Sequence, residues 1–195
     1  MGRTRTITNE QILEAAREVF LEDGFGGSTI EIAKRAGISE GSIFKRFSTK
    51  EKLFFASLGI SETPNWVKDL ETVVGQGDLK ENLIAVSLQI VEFLRDLVPR
   101  LTMLCSKGDL HNILGCDESP LVRDIRVLTK FFEEEVELGR LHIYNPAIAA
   151  RTLLGSLMNY VHLEYMGQPP EMSLPTEVYV TGLIDLLWQG MNGKT

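Results

Sequence analysis

The chain has 195 residues, 44% of them hydrophobic and 24% charged, and a formal net charge of −7. These proportions are typical of a soluble globular protein with room for two small domains, and they argue against a disordered chain. No run of about 18 apolar residues could span a bilayer, and no apolar segment follows Arg3 and Arg5 as in a secretion signal, so we expect a cytoplasmic protein without membrane contact.

The first predicted helix begins after Thr8 and ends at Gly24. Thr8 and Gln11 have the spacing of a capping box, in which each side chain bonds the other residue's backbone amide. The apolar residues that follow have the spacing of an amphipathic helix. They are Ile12, Leu13, Ala16, Val19 and Phe20.

Three short helical segments follow in tandem between residues 28 and 54. Ser28 with Glu31, and Ser48 with Glu51, have the capping-box spacing, and Ser39 can cap the helix between them. Gly37 is placed where one helix ends and the chain reverses. This arrangement predicts a helix-turn-helix, the motif whose second helix enters the major groove of DNA.

The second helix of that motif has an apolar and a polar side. Ile38, Ile43 and Phe47 are expected to anchor it from behind. The opposite side carries Glu40, Gly41, Ser42, Phe44, Lys45 and Arg46. Small residues at the front of the helix would let its backbone approach base edges closely. The alternative is an ordinary solvated surface helix of a helical bundle.

Beyond residue 50 the pattern predicts only helices. The fourth begins near Lys50 and runs through Leu58, and Gly59 and Pro64 are expected to bend or break it. The next is expected to begin at Asp78 and to be closed by Pro99, with a shorter helix after it.

Cap signals mark the last three helices. Ser119–Pro120 and Asn145–Pro146 are helix starts, Gly139 is an end, and a final helix covers residues 176–191. A run of glutamates is interpreted as a solvated helix face, and its members are Glu133, Glu134, Glu135 and Glu137. The prediction is an all-α fold, with a helix-turn-helix domain at residues 1–49 and a helical-bundle domain for ligand binding and dimerisation at residues 50–195.

The acidic net charge hides an uneven distribution. Residues 1–52 hold nine Lys and Arg against eight Asp and Glu, a net of +1, whereas the remaining residues carry a net of −8. Binding to DNA depends on local neutralisation of phosphates. The acidic remainder would favour docking in one orientation, although it could equally serve solubility alone.

The chain resembles the tetracycline-repressor (TetR) family of bacterial transcriptional regulators. The similarity covers residues 8–55, where its matching features are ITNEQILEAAREVFLEDGFGGSTI, AKRAGISEGSIFKRF and STKEKLF, and it continues more weakly at residues 137–167. The resemblance implies a repressor that binds a palindromic operator in double-stranded DNA as a homodimer and is released by a small-molecule effector. The alternative is a helical ligand-binding or protein-interaction module that does not bind DNA specifically.

Among the residues predicted to face DNA, Thr29 and Lys50 are assigned to phosphates. Gly41, Ser42, Lys45 and Arg46 are assigned to base edges, and Glu40 could accept from cytosine. Phe44 stands where the family usually has tyrosine, so it keeps packing or a thymine-methyl contact and loses a hydrogen bond to phosphate.

The last two helices are assigned to dimerisation and the middle helices to effector binding. For the dimer interface, the resemblance and the broad apolar surface of the last two helices together indicate Leu154, Leu157, Val161, Val180, Leu183 and Leu187. An effector site is proposed at Trp66, Met103, His111, Phe131 and Met158, residues typical of an apolar pocket but equally of a core.

Catalysis has no candidate residues. Cys105 and Cys116 flank His111 without a zinc-binding spacing, and the chain has neither a phosphate-binding glycine loop nor a nucleophile elbow. We therefore expect no enzyme activity, no metal and no cofactor.

Overall fold

The computed structural model of the chain describes residues 7–60, 64–105 and 119–191, with the backbone alone for residues 103–105 and 191. Within those ranges every regular element is a helix, which confirms the predicted all-α fold. None of the helices in this part of the chain is both long enough and apolar enough to cross a membrane.

Nine α-helices and two single-turn 3-10 helices, Gly24–Gly26 and Pro170–Met172, follow one another along these ranges. The α-helices are α1 (Asn9–Asp23), α2 (Thr29–Ala36), α3 (Glu40–Phe47), α4 (Lys50–Ser57), α5 (Asn65–Val73), α6 (Leu79–Cys105), α7 (Pro120–Glu137), α8 (Pro146–Met166) and α9 (Thr176–Met191). The described residues form two compact units, an N-terminal one of residues 7–60, 100–105 and 119–122 and a C-terminal one of residues 64–99 and 123–191.

The N-terminal unit is built around Phe54 of α4. Its ring meets Phe20 of α1 and Phe25 edge-on, with ring centroids 4.9 and 5.1 Å apart, the arrangement that aromatic rings prefer. Other fully buried side chains around this centre are Ile12, Val19, Ile32, Ile43 and Leu53. Each contributes about 1.5–3 kcal/mol by its burial, so α2 and α3 are held on a scaffold formed by α1 and α4.

The helix starts in this unit depend on hydroxyl caps. At α1 the amide of Gln11 donates to Thr8 Oγ1 over 3.3 Å, and the amide of Thr8 donates to Gln11 Oε1 over 3.0 Å, which confirms the predicted capping box. At α3 the amide of Ser42 donates to Ser39 Oγ over 3.2 Å, which confirms the predicted cap.

The predicted cap of α4 was wrong by one residue. Thr49, not Ser48, has the extended backbone of a cap, and its hydroxyl accepts from the amide of Lys52 over 3.2 Å. Ser48 instead closes α3, with φ of 63°. Because that backbone differs from the extended conformation that a helix cap requires, Ser48 cannot open the next helix.

Helix α4 ends at Ser57, one residue earlier than predicted, and α5 begins only after Pro64, which confirms the predicted break between Gly59 and Pro64. Two arginines satisfy carbonyl groups at this end: Arg17 Nε donates to the carbonyl of Ser57 over 2.8 Å, and Arg100 Nη1 to that of Leu58 over 2.7 Å. Such contacts stabilise a helix C-terminus, where carbonyls lack helical partners.

Helix α6 is longer than predicted because it continues through Pro99. Proline removes one helical hydrogen bond and disfavours helix continuation. Residues on either side of the proline, Leu97, Val98 and Leu101, are buried. Burial therefore outweighs the local preference of proline.

The glutamates of α7 do not form a uniformly solvated face, and that prediction was wrong for Glu135. This side chain is fully buried. Its Oε1 accepts from the amide of Gly75 over 2.8 Å, and its Oε2 lies 3.2 Å from Arg140 Nε. Buried charges are retained only when they are paired and hydrogen-bonded, so Glu135 ties α7 to the turn that follows α5.

Candidate nucleic-acid interface

The turn between α2 and α3 is closed by backbone hydrogen bonds. Gly37 adopts a left-handed conformation with φ of 71°. Its amide donates to the carbonyl of Lys34 over 3.2 Å, and the amide of Ile38 donates to that of Ala33 over 3.0 Å. This pattern ends a helix and reverses the chain within a few residues. The sequence therefore folds locally into the predicted helix-turn-helix.

One side of α3 is anchored and the other is exposed. Ile43 is fully buried, and Ile38 and Phe47 are half-buried. The polar side lies at the surface of the N-terminal unit. There Gly41, Lys45 and Arg46 are exposed, and Glu40, Ser42 and Phe44 are half-buried.

Gly41 has no packing reason to be glycine. A Cβ added at this position would meet nothing within 4 Å. Glycine within a helix is about 0.5–1 kcal/mol less favourable than alanine. The free protein thus gains nothing from the missing side chain, whereas a partner that approaches the front of α3 would.

Two of the assigned DNA contacts bond to each other. The hydroxyl of Thr29, the first residue of α2, donates to Oε1 of Glu40, the first residue of α3. The bond joins the two helices of the motif at the start of the polar side. Sequence reasoning missed it, because Thr29 and Glu40 were assigned to separate contacts with DNA.

Arg46 also has a protein partner. Its Nη1 donates to the carbonyl of Ile7 over 2.8 Å and to Oδ1 of Asn9 over 3.2 Å. Arg46 therefore ties α3 to the segment that enters α1.

The two lysines assigned to DNA are placed differently. Lys50 Nζ lies 5.0 Å from the centroid of the Phe25 ring, a cation–π contact at the first residue of α4. Lys45 is exposed on α3, and its side chain makes no hydrogen bond, ion pair or cation–π contact with the described residues. Lys45 is thus a long cation that can reorient toward a ligand, whereas Lys50 is partly held in place.

Arg35 of α2 is surrounded by carboxylates and so adds little positive charge to this surface. Its Nη2 lies 2.7 Å from Glu22, its Nε 3.2 Å from Glu31 and its Nη1 3.6 Å from Glu18. The sequence places Arg35 on the outside of α2 but does not reveal these partners, two of which belong to α1.

Of the proposed effector residues, three are described with side chains, and all lie in the C-terminal unit. Trp66 and Phe131 are buried and Met158 is half-buried. His111 and the side chain of Met103 lie outside the described residues. A cavity of about 50 Å³ is lined by Leu70, Val127 and Phe131, among others, which is far smaller than the roughly 300–1,000 Å³ of ordinary ligand sites.

The same unit contains a buried carboxylate. Asp124 of α7 is fully buried, and Arg123 Nε and Nη2 donate to its Oδ1 over 2.8 and 2.6 Å. Its Oδ2 has no hydrogen-bond partner among the described residues. Burial raises the pKa of Asp124 from its ordinary value of 3.8 to about 6, against the opposing influence of Arg123.

The residues proposed for a dimer interface are mostly occupied within the chain itself. Four of the six, Leu154, Leu157, Val161 and Val180, are buried in the core of the C-terminal unit. Leu183 and Leu187 are half-buried. The large apolar side chains that α8 and α9 leave exposed are instead Ile148, Tyr165, Met166, Val178 and Leu186.

Comparison with known proteins relates the N-terminal part of the chain to one family. Residues 12–57 match the family model for bacterial regulatory proteins of the tetR family. The HTH-type transcriptional repressor AcnR of Corynebacterium efficiens is 46% identical over 50 residues, which are 25% of this chain and 27% of the repressor. The chain spans less than half the length of the curated relatives that it matches.

Solved structures extend the likeness to the whole fold. A protein assigned to the TetR family of transcriptional regulators, from Mesorhizobium loti, superposes with a TM-score of 0.65 at 19% identity, covering 97% of this chain and 99% of the other. The transcriptional regulator FadR of Bacillus subtilis, solved in complex with stearoyl-CoA, gives 0.58 at 20% identity, covering 94% and 99%. At these identities the likeness establishes a shared fold.

Proposed function

We propose that this chain, whose N-terminal residues belong to the tetR family of bacterial regulatory proteins, is a DNA-binding transcriptional regulator that acts as a repressor. The observation that carries the proposal is the helix-turn-helix of α2 and α3. The apolar back of α3 is anchored through Ile43, while its polar front is exposed. This is the arrangement with which a recognition helix enters the major groove.

The proposed contacts with DNA are of two kinds: contacts that position the protein on the phosphate backbone, and contacts that read the bases. Lys50, at the start of α4, is proposed to hold a phosphate, because a cation beside a helix N-terminus attracts anions. Gly41, Ser42, Lys45 and Arg46 are proposed to face base edges. Phe44 is half-buried and can offer its ring to a thymine methyl group.

A direct test is the binding of the full chain to DNA. Fluorescence anisotropy should show saturable binding that weakens steeply with salt. The duplexes come from the promoter region of the gene that encodes the chain and from enrichment of a random pool. Sequence preference should survive an excess of unrelated duplex. If no duplex binds at low salt, the alternative of a helical ligand-binding or protein-interaction module is favoured.

Operator binding is proposed to require a homodimer. Two reading heads that share a two-fold axis would match half-sites about 34–36 Å apart. The exposed apolar residues of α8 and α9, above all Ile148, Val178 and Leu186, offer a face for a second copy. Leu183 and Leu187 could extend it at its border. Analytical ultracentrifugation should give twice the mass of the chain, and a monomer at operator-binding concentration would contradict the dimer.

A small-molecule effector is proposed to bind the C-terminal unit. The support is the B. subtilis FadR structure, which holds stearoyl-CoA in a shared fold, and the presence of Trp66 and Phe131 in the apolar core. Coupling between effector and DNA of about 1–3 kcal/mol would suffice for release. A thermal-shift panel that includes stearoyl-CoA, with DNA release as the second readout, tests this point.

A further inference from the structure

We infer that Thr29 is a positioning residue rather than a phosphate contact, and that it aims Glu40 at the exposed amino group of a cytosine in the major groove. The inference rests on the proposed function and assigns a specificity-determining residue within it. Its basis is the hydrogen bond between the Thr29 hydroxyl and Glu40 Oε1.

A hydroxyl group has a single hydrogen to donate. In this structure Thr29 gives that hydrogen to Glu40. Thr29 therefore cannot donate to a phosphate while the bond is intact. If it turned to a phosphate, Glu40 would lose the donor that holds its side chain in place.

The bond occupies one carboxylate oxygen of Glu40 and leaves the other to accept a hydrogen bond from a base. Oε1 accepts from Thr29, and no described residue is seen to donate to Oε2. Glu40 is the first residue of α3 and only half-buried, so this residue lies at the end of the recognition helix that meets base edges. An ionised carboxylate can only accept hydrogen bonds.

Among the four bases, cytosine fits such an acceptor best. In the major groove it presents the N4 amino group, which donates, whereas guanine presents two acceptors that would repel a carboxylate. Adenine places the N7 acceptor beside its N6 donor, and thymine presents an acceptor and a methyl group. A fixed carboxylate therefore selects a cytosine.

The test compares Thr29→Val, Thr29→Ser and Glu40→Gln with the unchanged chain. Thr29 follows the Ser28 cap, so valine at this position leaves the cap of α2 in place. A duplex is first enriched from a random pool with the unchanged chain. Affinities are then measured by anisotropy on that duplex and on versions with every single base-pair change.

We expect the unchanged chain to prefer cytosine at one position of each half-site by about 5- to 150-fold. Thr29→Val should reduce that preference to less than about threefold and leave the other positions unchanged. Thr29→Ser keeps the hydroxyl and should restore the preference. Glu40→Gln should shift it from cytosine toward adenine, since an amide pairs with N6 and N7 of adenine.

Other results would overturn the inference. If Thr29→Val weakens binding to all duplexes by one common factor, Thr29 contacts a phosphate or only braces α2 against α3. If Glu40→Gln leaves every preference unchanged, Glu40 does not read a base. Failure of the unchanged chain to enrich any duplex would instead refute the proposed function, and the inference with it.

Discussion

Replacing the buried Asp124 by asparagine is expected to stabilise the protein at neutral pH and to have little effect in acid. The side chain is fully buried, and burial raises its pKa from 3.8 to about 6. The folded state therefore holds the proton more tightly than the unfolded chain does. The stability contributed by this group is present below about pH 3.8 and is lost as the pH rises to about 6.

The magnitude follows from the size of the shift. The pKa of Asp124 is higher by about two in the folded state than in the unfolded chain. At about 1.4 kcal/mol for each pKa unit, the ionised carboxylate lowers the free energy of unfolding by roughly 3 kcal/mol above pH 6. Asparagine has nearly the same shape and no charge. Asp124→Asn should therefore raise the free energy of unfolding by up to about 3 kcal/mol near pH 7.5, and by less than about 1 kcal/mol near pH 4.

Urea unfolding followed by tryptophan fluorescence measures this difference. Both tryptophans of the chain, Trp66 and Trp188, belong to the same compact unit as Asp124. Asp69→Asn, which removes an exposed carboxylate from that unit, serves as the matched control and should change stability by less than about 0.5 kcal/mol. Equal effects of Asp124→Asn at both pH values, or destabilisation near pH 7.5, would show that burial does not raise the pKa of Asp124 as described.

Three further predictions concern single contacts. Arg140→Ala leaves the buried Glu135 without its cation and should lower the free energy of unfolding by about 3–5 kcal/mol, and an unchanged urea midpoint would count against the pair. Lys50→Ala should weaken binding to all duplexes about equally and reduce the salt slope by about one, and a loss confined to one base pair would contradict the phosphate assignment. Arg46→Ala should weaken DNA binding by about 1–3 kcal/mol through a single operator position. An equal loss of binding to all duplexes would instead indicate that Arg46 only anchors α3 to Ile7 and Asn9.

Local sequence rules predicted most of the N-terminal unit. The caps Thr8 and Ser39 act over three residues, and Gly37 ends α2 because of its own backbone conformation. At Ser48 the rule chose the wrong one of two adjacent hydroxyl residues. Propensity alone could not decide between Ser48 and Thr49, since the choice depends on how α3 ends.

The errors and omissions lie where distant residues decide. Pro99 was expected to end α6, but buried leucines on both sides keep the helix continuous. Glu135 was expected to be solvated, yet its partner Gly75 lies 60 residues earlier in the chain. The bond of Thr29 to Glu40 likewise depends on how two helices pack, which no spacing rule encodes.

The most direct test of the DNA-reading surface is a side chain added at Gly41. Leucine favours helices, and a Cβ at this position meets nothing within 4 Å in the free protein. Thermal unfolding and anisotropy on the enriched duplex are measured together for Gly41→Leu and for the unchanged chain. We expect an unfolding midpoint that is retained or raised. We also expect specific binding to be at least about a hundredfold weaker, which corresponds to the loss of one or two base contacts. Specific binding that persists at full strength would show that the front of α3 does not enter the groove.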